Sequence, residues 1–478
     1  MIGKIWSVPE TESSRPFCDA KSHGSLDTER YLETEYFFSG TANLYETDEA
    51  GEPRVAYSDV PYTNRMIIRA PKNTADFNGH VVVEILNASA RYDIERMWIV
   101  SHDYFTRKGI IYVGVTSKPD VFDSLANYDE KRYCEISWPN PRPEEQWITP
   151  QKSKGRISFV RKDQECGLFW DILMDVALLL RSDDAGNPIA QYAPRYISLT
   201  GWSQSCGYIT RFLNSFAYRY ESAVPYFDGY FSAGGVYSFS VPMNQNEYYI
   251  PKKSWSYVRN IKQPYVMVQT ESENGSLGIN TIPRANNDTP GSACRIYEIT
   301  GLTHDNKTLM NDYYKNDAPL KGVNYPSIYR GKEAVPNDYP GKYAMNAAYD
   351  HFFRWIETGI APANGPMFER DYEGNNVTDA FGNALGGVRT VFVDLPTRRY
   401  IPLTTWPDEE GYYQNCMYGH EEPFSPSMLK ELYGTLENYR KKATELTNRH
   451  ILKGYVLRED AEDLINEAVR LAEEAGLR

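Results

Sequence analysis

The chain has 478 residues, of which 41% are hydrophobic and 24% charged, and its formal charge is −13 at pH 7. These proportions are those of a globular protein, and no apolar run reaches the roughly 18 residues that predict a membrane-spanning helix. The negative charge argues against a nucleic-acid partner and against a polyanionic substrate, because affinity for nucleic acid comes from clustered Lys and Arg.

The spacing of the cysteines and the composition of the first ten residues indicate the cellular compartment. The six cysteines lie far apart with no Cys-x-x-Cys pair, so neither a zinc ribbon nor a thioredoxin-like motif is predicted. Residues 1–10 contain no apolar segment followed by the small residues of a signal cleavage site. We therefore expect a cytoplasmic protein, although a secreted chain whose signal had been removed would look the same.

Short segments rich in β-branched residues alternate with segments of helical apolar spacing along most of the chain. The predicted strands are 63–70, 80–86, 109–116, 196–200, 230–231, 265–269 and 295–299. The predicted helices are 95–107, 168–180, one that begins near residue 204, and 343–358. This alternation predicts an α/β fold with a mostly parallel central sheet flanked by helices, whose ligand site lies at the carboxyl ends of the strands.

We expect one catalytic domain over residues 1–424 and a helical appendage packed on it over residues 425–478. Three segments of the domain are predicted to be insertions: 118–165, 236–262 and 305–342. The appendage is predicted to contain two helices, and Ser425 followed by Pro426 is a typical helix start. An oligomer contact is the alternative use of this amphipathic tail, so a homo-oligomer is compatible with the sequence.

Ser203 lies directly after the strand predicted at 196–200 and directly before a predicted helix. Gly201 stands two residues before it and Ser205 two residues after it. A sharp turn from strand to helix places a serine in a strained backbone conformation, in which only small flanking side chains fit. This pattern indicates that Ser203 is a nucleophile.

Two backbone N–H groups are predicted to stabilise a developing oxyanion. The helix after Ser203 presents free N–H groups and a positive dipole end, which makes the N–H of Gln204 one donor. The second donor is expected in the loop after an earlier strand, at Ala88 or Ser89. Asn87, which precedes them, is interpreted as the turn residue that ends the strand.

A serine hydroxyl needs a base, and a histidine that acts as the base needs a carboxylate to hold its tautomer. Among seven histidines, His304 is the one that lies just past the strand predicted at 295–299, in a short loop. We predict that His304 is the base. The acid is expected after the strand at 265–269, where Glu271 and Glu273 compete, and loop length favours Glu273.

Other chemistries have no support in the sequence. It contains no Gly-x-Gly-x-x-Gly after a strand, no Walker loop, no His-Glu-x-x-His and no EF-hand loop. We therefore expect no cofactor and no metal. The order of serine, acid and histidine along the chain is the order typical of α/β-hydrolases.

With these residues, the chain resembles a family of large bacterial α/β-hydrolase-domain proteins that look like carboxylic ester hydrolases. The resemblance covers nearly the whole length and lies in the segments 35–42, 77–79, 83–89, 201–205, 269–273 and 352–355. The family pattern ends its acid loop in Asp at the position of Glu273, which implies that Glu273 rather than Glu271 is the acid. This chain departs from the pattern at Ala90-Arg91 and at Cys206, where the family shows glycine.

The sequence thus predicts a serine-dependent carboxylic ester hydrolase that forms an acyl-enzyme from a small-molecule ester. The acyl and alcohol parts of that ester are not encoded in a readable motif. Two alternatives stay open: another acyl-transfer enzyme, such as a peptidase or an acyltransferase, that uses the same triad, and a non-catalytic binding protein that shares the fold.

Overall fold

The computed structural model describes residues 2–148, 152–153, 156–157, 161–219, 224–235, 240–247, 258, 260–273, 286–308, 335–407, 413–416 and 419–478. The chain divides into two compact units. The first is Met1–Tyr265 with Thr289–Ala293 and Tyr314–Tyr325, and the second is Val266–Asp288, Cys294–Tyr313 and Pro326–Arg478. Much of the insertions predicted at 236–262 and 305–342 lies outside the described residues, and the domain boundary predicted at residue 424 stays a prediction.

The described part of the first unit contains nine strands. They are β1 (Ile2–Ser7), β2 (Tyr31–Thr47), β3 (Pro53–Pro71), β4 (His80–Ile85), β5 (Ile111–Val115), β6 (Lys152–Ser153), β7 (Arg156–Ile157), β8 (Tyr196–Trp202) and β9 (Gly229–Ala233). Seven of them pair in the order β1-β2-β3-β5-β4-β8-β9. The pairs from β1 to β5 are antiparallel, and those that join β5, β4, β8 and β9 are parallel.

Five helices belong to the described part of the first unit: α1 (Arg96–Lys108), α2 (Phe122–Tyr128), α3 (Glu130–Tyr133), α4 (Phe169–Arg181) and α5 (Gln204–Ser215). Helix α1 ends at Gly109, whose φ of 70° is in the left-handed region. A Cβ at Gly109 would lie 1.9 Å from the carbonyl oxygen of Asp76, so only glycine fits this helix end. The strands and helices predicted in this unit are confirmed; their bounds shift by a few residues, except at β3, which begins ten residues earlier than predicted.

The long antiparallel pair of β2 and β3 was predicted only at residues 63–70, because charged residues interrupt its apolar pattern. Several of these charges are fully buried and are paired with one another. Arg69 lies 2.6 Å from Glu33. Glu35 forms an ion pair with Arg65, at 3.3 Å, and accepts from Arg132 at 2.5 Å. Buried charges are tolerated when they are paired and hydrogen-bonded. A pattern of hydrophobicity alone does not reveal such pairing.

The strands of the second unit are β10 (Tyr265–Thr270), β11 (Arg295–Ile299), β12 (Val335–Pro336), β13 (Arg398–Ile401), β14 (Thr404–Pro407), β15 (Tyr413–Cys416) and β16 (His420–Pro423). β10 and β11 are parallel, as the sequence predicted. β13 and β12 flank β16 in a small antiparallel sheet, and β14 pairs with β15. The helices are α6 (Lys342–Thr358), α7 (Val391–Asp394), α8 (Pro426–Tyr433), α9 (Leu436–Leu452) and α10 (Ala461–Glu474).

The C-terminal segment contains three helices, and the prediction of two was wrong. Ser425 caps α8 as predicted, since its hydroxyl accepts from the N–H of Met428 at 3.2 Å. Gly434, with φ of 74°, then ends α8. Thr435 caps the next helix by accepting from the N–H of Asn438. A glycine followed by a capping residue therefore divides what apolar periodicity alone showed as one helix.

Parallel strands, flanking helices and a helical C-terminal segment confirm the predicted α/β class. Within the described ranges, no helix has both the length and the apolar composition needed to cross a bilayer.

Candidate active site

Ser203 occupies a strained turn between β8 and α5. Its φ is 58° and its ψ is −117°, a region that residues other than glycine rarely adopt. The turn is held at both ends, because the N–H of Ser203 donates to Ala233 and its carbonyl accepts from Cys206, each at 2.9 Å. Ser203 is half-buried. The strand, strained serine and helix thus form the sharp strand-to-helix turn that the sequence predicted.

The small residues on either side of Ser203 have a steric reason. A Cβ at Gly201 would lie only 2.6 Å from the Cβ of Ser205. The hydroxyl of Ser205 in turn donates to the carbonyl of Ile85 at 2.8 Å, which ties α5 to β4. A larger side chain at residue 201 would push the helix away from the strand.

Two further glycines support this turn and were not recognised in the sequence. A Cβ at Gly235 would meet the Cβ of Cys206 at 2.5 Å, and one at Gly234 would meet the indole of Trp202 at 2.6 Å. Gly234 also has a positive φ, of 63°. The pair Gly234-Gly235, three residues past the strand predicted at 230–231, was the available signal for this close packing.

The N–H of Gln204 is the first of helix α5. It has no hydrogen-bond partner among the residues described here. The first N–H groups of a helix point out of its N-terminal end and carry part of its positive dipole. This donor is thus available to an anion beside Ser203.

The loop after β4 is attached to the turn at Ser203 by Asn87. The side-chain amide of Asn87 donates to the carbonyl of Trp202, the residue before Ser203, at 2.9 Å. The backbones of Asn87 and Ile94 exchange two hydrogen bonds of 2.9 Å, which close the loop on itself. Asn87 therefore positions this loop, a role beyond the strand-ending turn that the sequence indicated.

Ala88 and Ser89 differ in the availability of their N–H groups. The N–H of Ser89 already donates to the side-chain oxygen of Asn87 at 2.9 Å. Ala88 is buried, and in the described part of the chain its N–H has no partner. The structure thus distinguishes two residues that sequence reasoning left equivalent.

Glu273 and His304 form a buried pair in the second unit. Oε1 of Glu273 lies 2.6 Å from Nδ1 of His304, and its Oε2 accepts from the N–H of Thr270 at 2.6 Å. The backbone N–H of His304 donates to the hydroxyl of Ser272 at 3.0 Å. Both the carboxylate and the loop that carries the imidazole are therefore held by the turn at 271–273.

Glu271 has different partners from Glu273. Its Oε2 accepts from the N–H of Gly301 at 2.7 Å, and its own N–H donates to the carbonyl of Leu302 at 2.9 Å. Burial raises the pKa of Glu271 to about 7. Of the two carboxylates that the sequence left in competition, Glu273 is the one paired with the imidazole of His304.

The site residues predicted from the sequence are distributed over both units. Ser203, Gln204, Ala88 and Ser89 belong to the first unit. The acid and the histidine belong to the second unit, as does Glu271.

A strained serine between a parallel strand and a helix is characteristic of the α/β-hydrolase class. The chain belongs to the alpha/beta hydrolase domain family, whose model matches residues 6–466. This match confirms the family resemblance over nearly the whole length.

Several solved structures are similar to parts of the chain at low identity. A putative carboxylesterase from Lactobacillus plantarum is 8% identical, with 45% of this chain and 72% of that chain covered and a TM-score of 0.27. The siderophore hydrolase EstA from Aspergillus nidulans is 10% identical, with 59% and 78% covered and a TM-score of 0.28. The esterase Est22 is 9% identical, with 63% and 79% covered and a TM-score of 0.31. No curated protein sequence is significantly similar to this chain.

Proposed function

We propose that this protein is a serine-dependent carboxylic ester hydrolase with Ser203 as nucleophile, His304 as base and Glu273 as the residue that orients His304. The observation that carries the proposal is the strained conformation of Ser203, with φ of 58°, at the start of helix α5. Such strain costs free energy, and it persists where the surrounding structure holds a functional residue in place. The serine, acid and histidine follow one another along the chain in the order typical of the class.

The proposed reaction begins with attack of the Ser203 hydroxyl oxygen on the ester carbonyl, while Nε2 of His304 takes up the hydroxyl proton. The tetrahedral intermediate collapses, the alcohol leaves with the proton from His304, and the acyl group stays on Ser203. Water then attacks the acyl-enzyme with His304 again as the base. The carboxylic acid is released and Ser203 is restored.

Glu273 supports both steps in this proposal without taking up the proton. Its contact with Nδ1 of His304, at 2.6 Å, keeps the proton of the neutral ring on Nδ1 and leaves Nε2 free to accept. The carboxylate also stabilises the imidazolium that forms when Nε2 is protonated. Both effects are strong where water is excluded, and the two side chains are almost fully buried.

The oxyanion is proposed to be held by the backbone N–H groups of Gln204 and Ala88. Support for Gln204 comes from its place at the first turn of α5. Ala88 is favoured over Ser89 because the N–H of Ser89 already donates to the side-chain oxygen of Asn87. Two N–H donors aimed at one oxygen stabilise the charge that develops in the transition state.

The substrate is proposed to be a small-molecule ester that is not a polyanion. The net charge of −13 gives the protein a field that repels polyanions at a distance. This field sets no preference among neutral acyl or alcohol groups. A panel of esters from acetyl sugars to long-chain acyl esters would identify the preferred substrate.

Ser203→Ala tests the proposal directly. We expect the variant to lose hydrolysis of p-nitrophenyl acetate and labelling by a fluorophosphonate probe, both of which the unmodified protein should show. Ser215→Ala is a matched control, because it removes a hydroxyl from the other end of the same helix. Hydrolysis by Ser203→Ala at the rate of the unmodified protein would falsify the mechanism.

Product analysis tests the reaction class separately. With an added alcohol or amine in competition, a hydrolase releases mainly the free acid. Predominant transfer of the acyl group to the added nucleophile would instead identify an acyltransferase.

A further inference from the structure

Three consecutive residues of the turn after β10 hold the loop that carries His304. Ser272 accepts from the backbone N–H of His304, and Glu273 contacts its ring. Glu271 holds the beginning of the same loop through Gly301 and Leu302. The loop is thus fixed at its start by Glu271 and at its end by the next two residues.

Glu271 holds this loop with a buried carboxylate whose Oε2 accepts from the N–H of Gly301 at 2.7 Å. Gly301 has φ of 83°, and a Cβ there would lie 2.9 Å from the ring of Tyr339. The chain therefore turns sharply at the point that Glu271 holds, three residues before His304.

We infer that Glu271 is a positioning residue for the proposed base: its ionised carboxylate fixes the loop of His304, and the hold weakens when Glu271 takes up a proton. This inference rests on the proposed function, because it assigns a pH control to the same site. The reason is the charge of the acceptor. A hydrogen bond from the N–H of Gly301 to an ionised carboxylate is roughly twice as strong as one to a neutral carboxyl.

The charged and titratable groups around Glu271 come from several elements. Arg389 lies near it and favours the ionised form, whereas Asp379 disfavours that form. Tyr339 is also within electrostatic reach, and Glu273 lies on the same turn. Arg389 is shared, because it pairs with Asp379 and with Asp394, each at 2.7 Å. Burial outweighs the remaining attraction and raises the pKa of Glu271 to about 7.

Glu271→Gln tests the inference, because glutamine reproduces the protonated carboxyl with one acceptor oxygen and one donor group. We expect kcat of the unmodified protein to exceed that of Glu271→Gln by about tenfold at pH 9, the usual effect of one lost hydrogen bond to a charged group. The ratio should fall toward one near pH 5.5, where Glu271 of the unmodified protein is itself protonated. KM should change less than about twofold, since Glu271 does not touch the substrate.

Glu298→Gln is the matched control. Glu298 is a buried carboxylate of the same unit that accepts from the N–H of Phe368 and pairs with Arg370. Its replacement should give a kcat ratio that does not change with pH. A ratio for Glu271→Gln that is likewise constant from pH 5.5 to 9 would show a purely structural role and overturn the inference.

A failure of the proposed function can be distinguished from a failure of the inference about Glu271. In the first case Ser203→Ala would be as active as the unmodified protein, whatever the result at Glu271. The NMR resonances of the His304 imidazole, in protein with isotope-labelled histidine, would still report whether Glu271 fixes the loop of His304. They should shift near pH 7, where Glu271 takes up a proton, and this shift should be absent in Glu271→Gln. The same shift in both proteins would overturn the inference.

Discussion

Oε1 of Glu273 lies 2.6 Å from Nδ1 of His304, and both residues are less than a tenth exposed. The carboxylate is fixed by the N–H of Thr270, and the backbone of His304 by Ser272. The orientation of the imidazole is therefore set before any substrate binds. Such preorganisation lowers the cost of reaching the transition state.

Glu273→Gln should lower kcat by about 10³-fold to 10⁴-fold, because an amide group facing Nδ1 favours the wrong tautomer of His304. KM should change less than about threefold. Steady-state hydrolysis of p-nitrophenyl acetate measures both constants. A loss no greater than that of the control Glu298→Gln would show that Glu273 is not the orienting acid.

Asn87→Ala should lower kcat by about tenfold to a hundredfold, because it removes the hydrogen bond that joins the loop of Ala88 to Trp202, 2.9 Å long. KM should be little affected. Ser89→Ala is the comparison, since among the residues that the structure describes the hydroxyl of Ser89 bonds only to Asn87, at 2.6 Å. Equal activity of the two variants would argue against Ala88 as an oxyanion donor.

Gly201→Ala should destabilise the first unit by about 1–3 kcal/mol, the usual cost of overpacking. The added Cβ would lie 2.6 Å from the Cβ of Ser205. Urea unfolding measures the stability, and the rate of fluorophosphonate labelling measures the distortion at Ser203. Gly3→Ala is the control, because its Cβ would have no contact closer than 3.8 Å. Similar behaviour of both variants would contradict the steric explanation.

The stability of the first unit should fall as the pH rises from about 5 to about 8. Burial raises the pKa of Glu84 from its ordinary value of 4.5 to about 8. In this range the folded protein holds a proton on Glu84 that the unfolded chain has lost, so rising pH favours unfolding. The expected loss from Glu84 is roughly 1 kcal/mol per pH unit.

Urea unfolding at several pH values checks this slope. Glu84→Gln should remove the part of the pH dependence of stability that comes from Glu84. The part that comes from Glu33, whose pKa burial raises to about 7, should remain. An identical pH dependence in the variant and the unmodified protein would show that Glu84 is ionised throughout.

Local rules accounted for most of the elements around the proposed site. Helix α5 and strands β8, β10 and β11 follow from apolar spacing and from the turn residues that bound them. The long pair β2 and β3 escaped these rules because buried Arg69 and Glu33 replace apolar residues. The division of the C-terminal helices escaped them because Gly434 interrupts a pattern that otherwise continues.

The sequence by itself determined the family, the α/β class, the strand-to-helix turn at Ser203 and the short sets of candidates around it. Each of these depends on residues close together in the chain, where spacing and turn chemistry act. Loop length and the family resemblance already favoured Glu273 over Glu271, and the tertiary structure showed Glu273 paired with His304. Only the tertiary structure distinguished Ala88 from Ser89 as the residue with an available N–H. The physical reason is that neighbouring residues in a loop have the same local sequence pattern. Which of them forms a given hydrogen bond depends on the chain segments that fold against the loop.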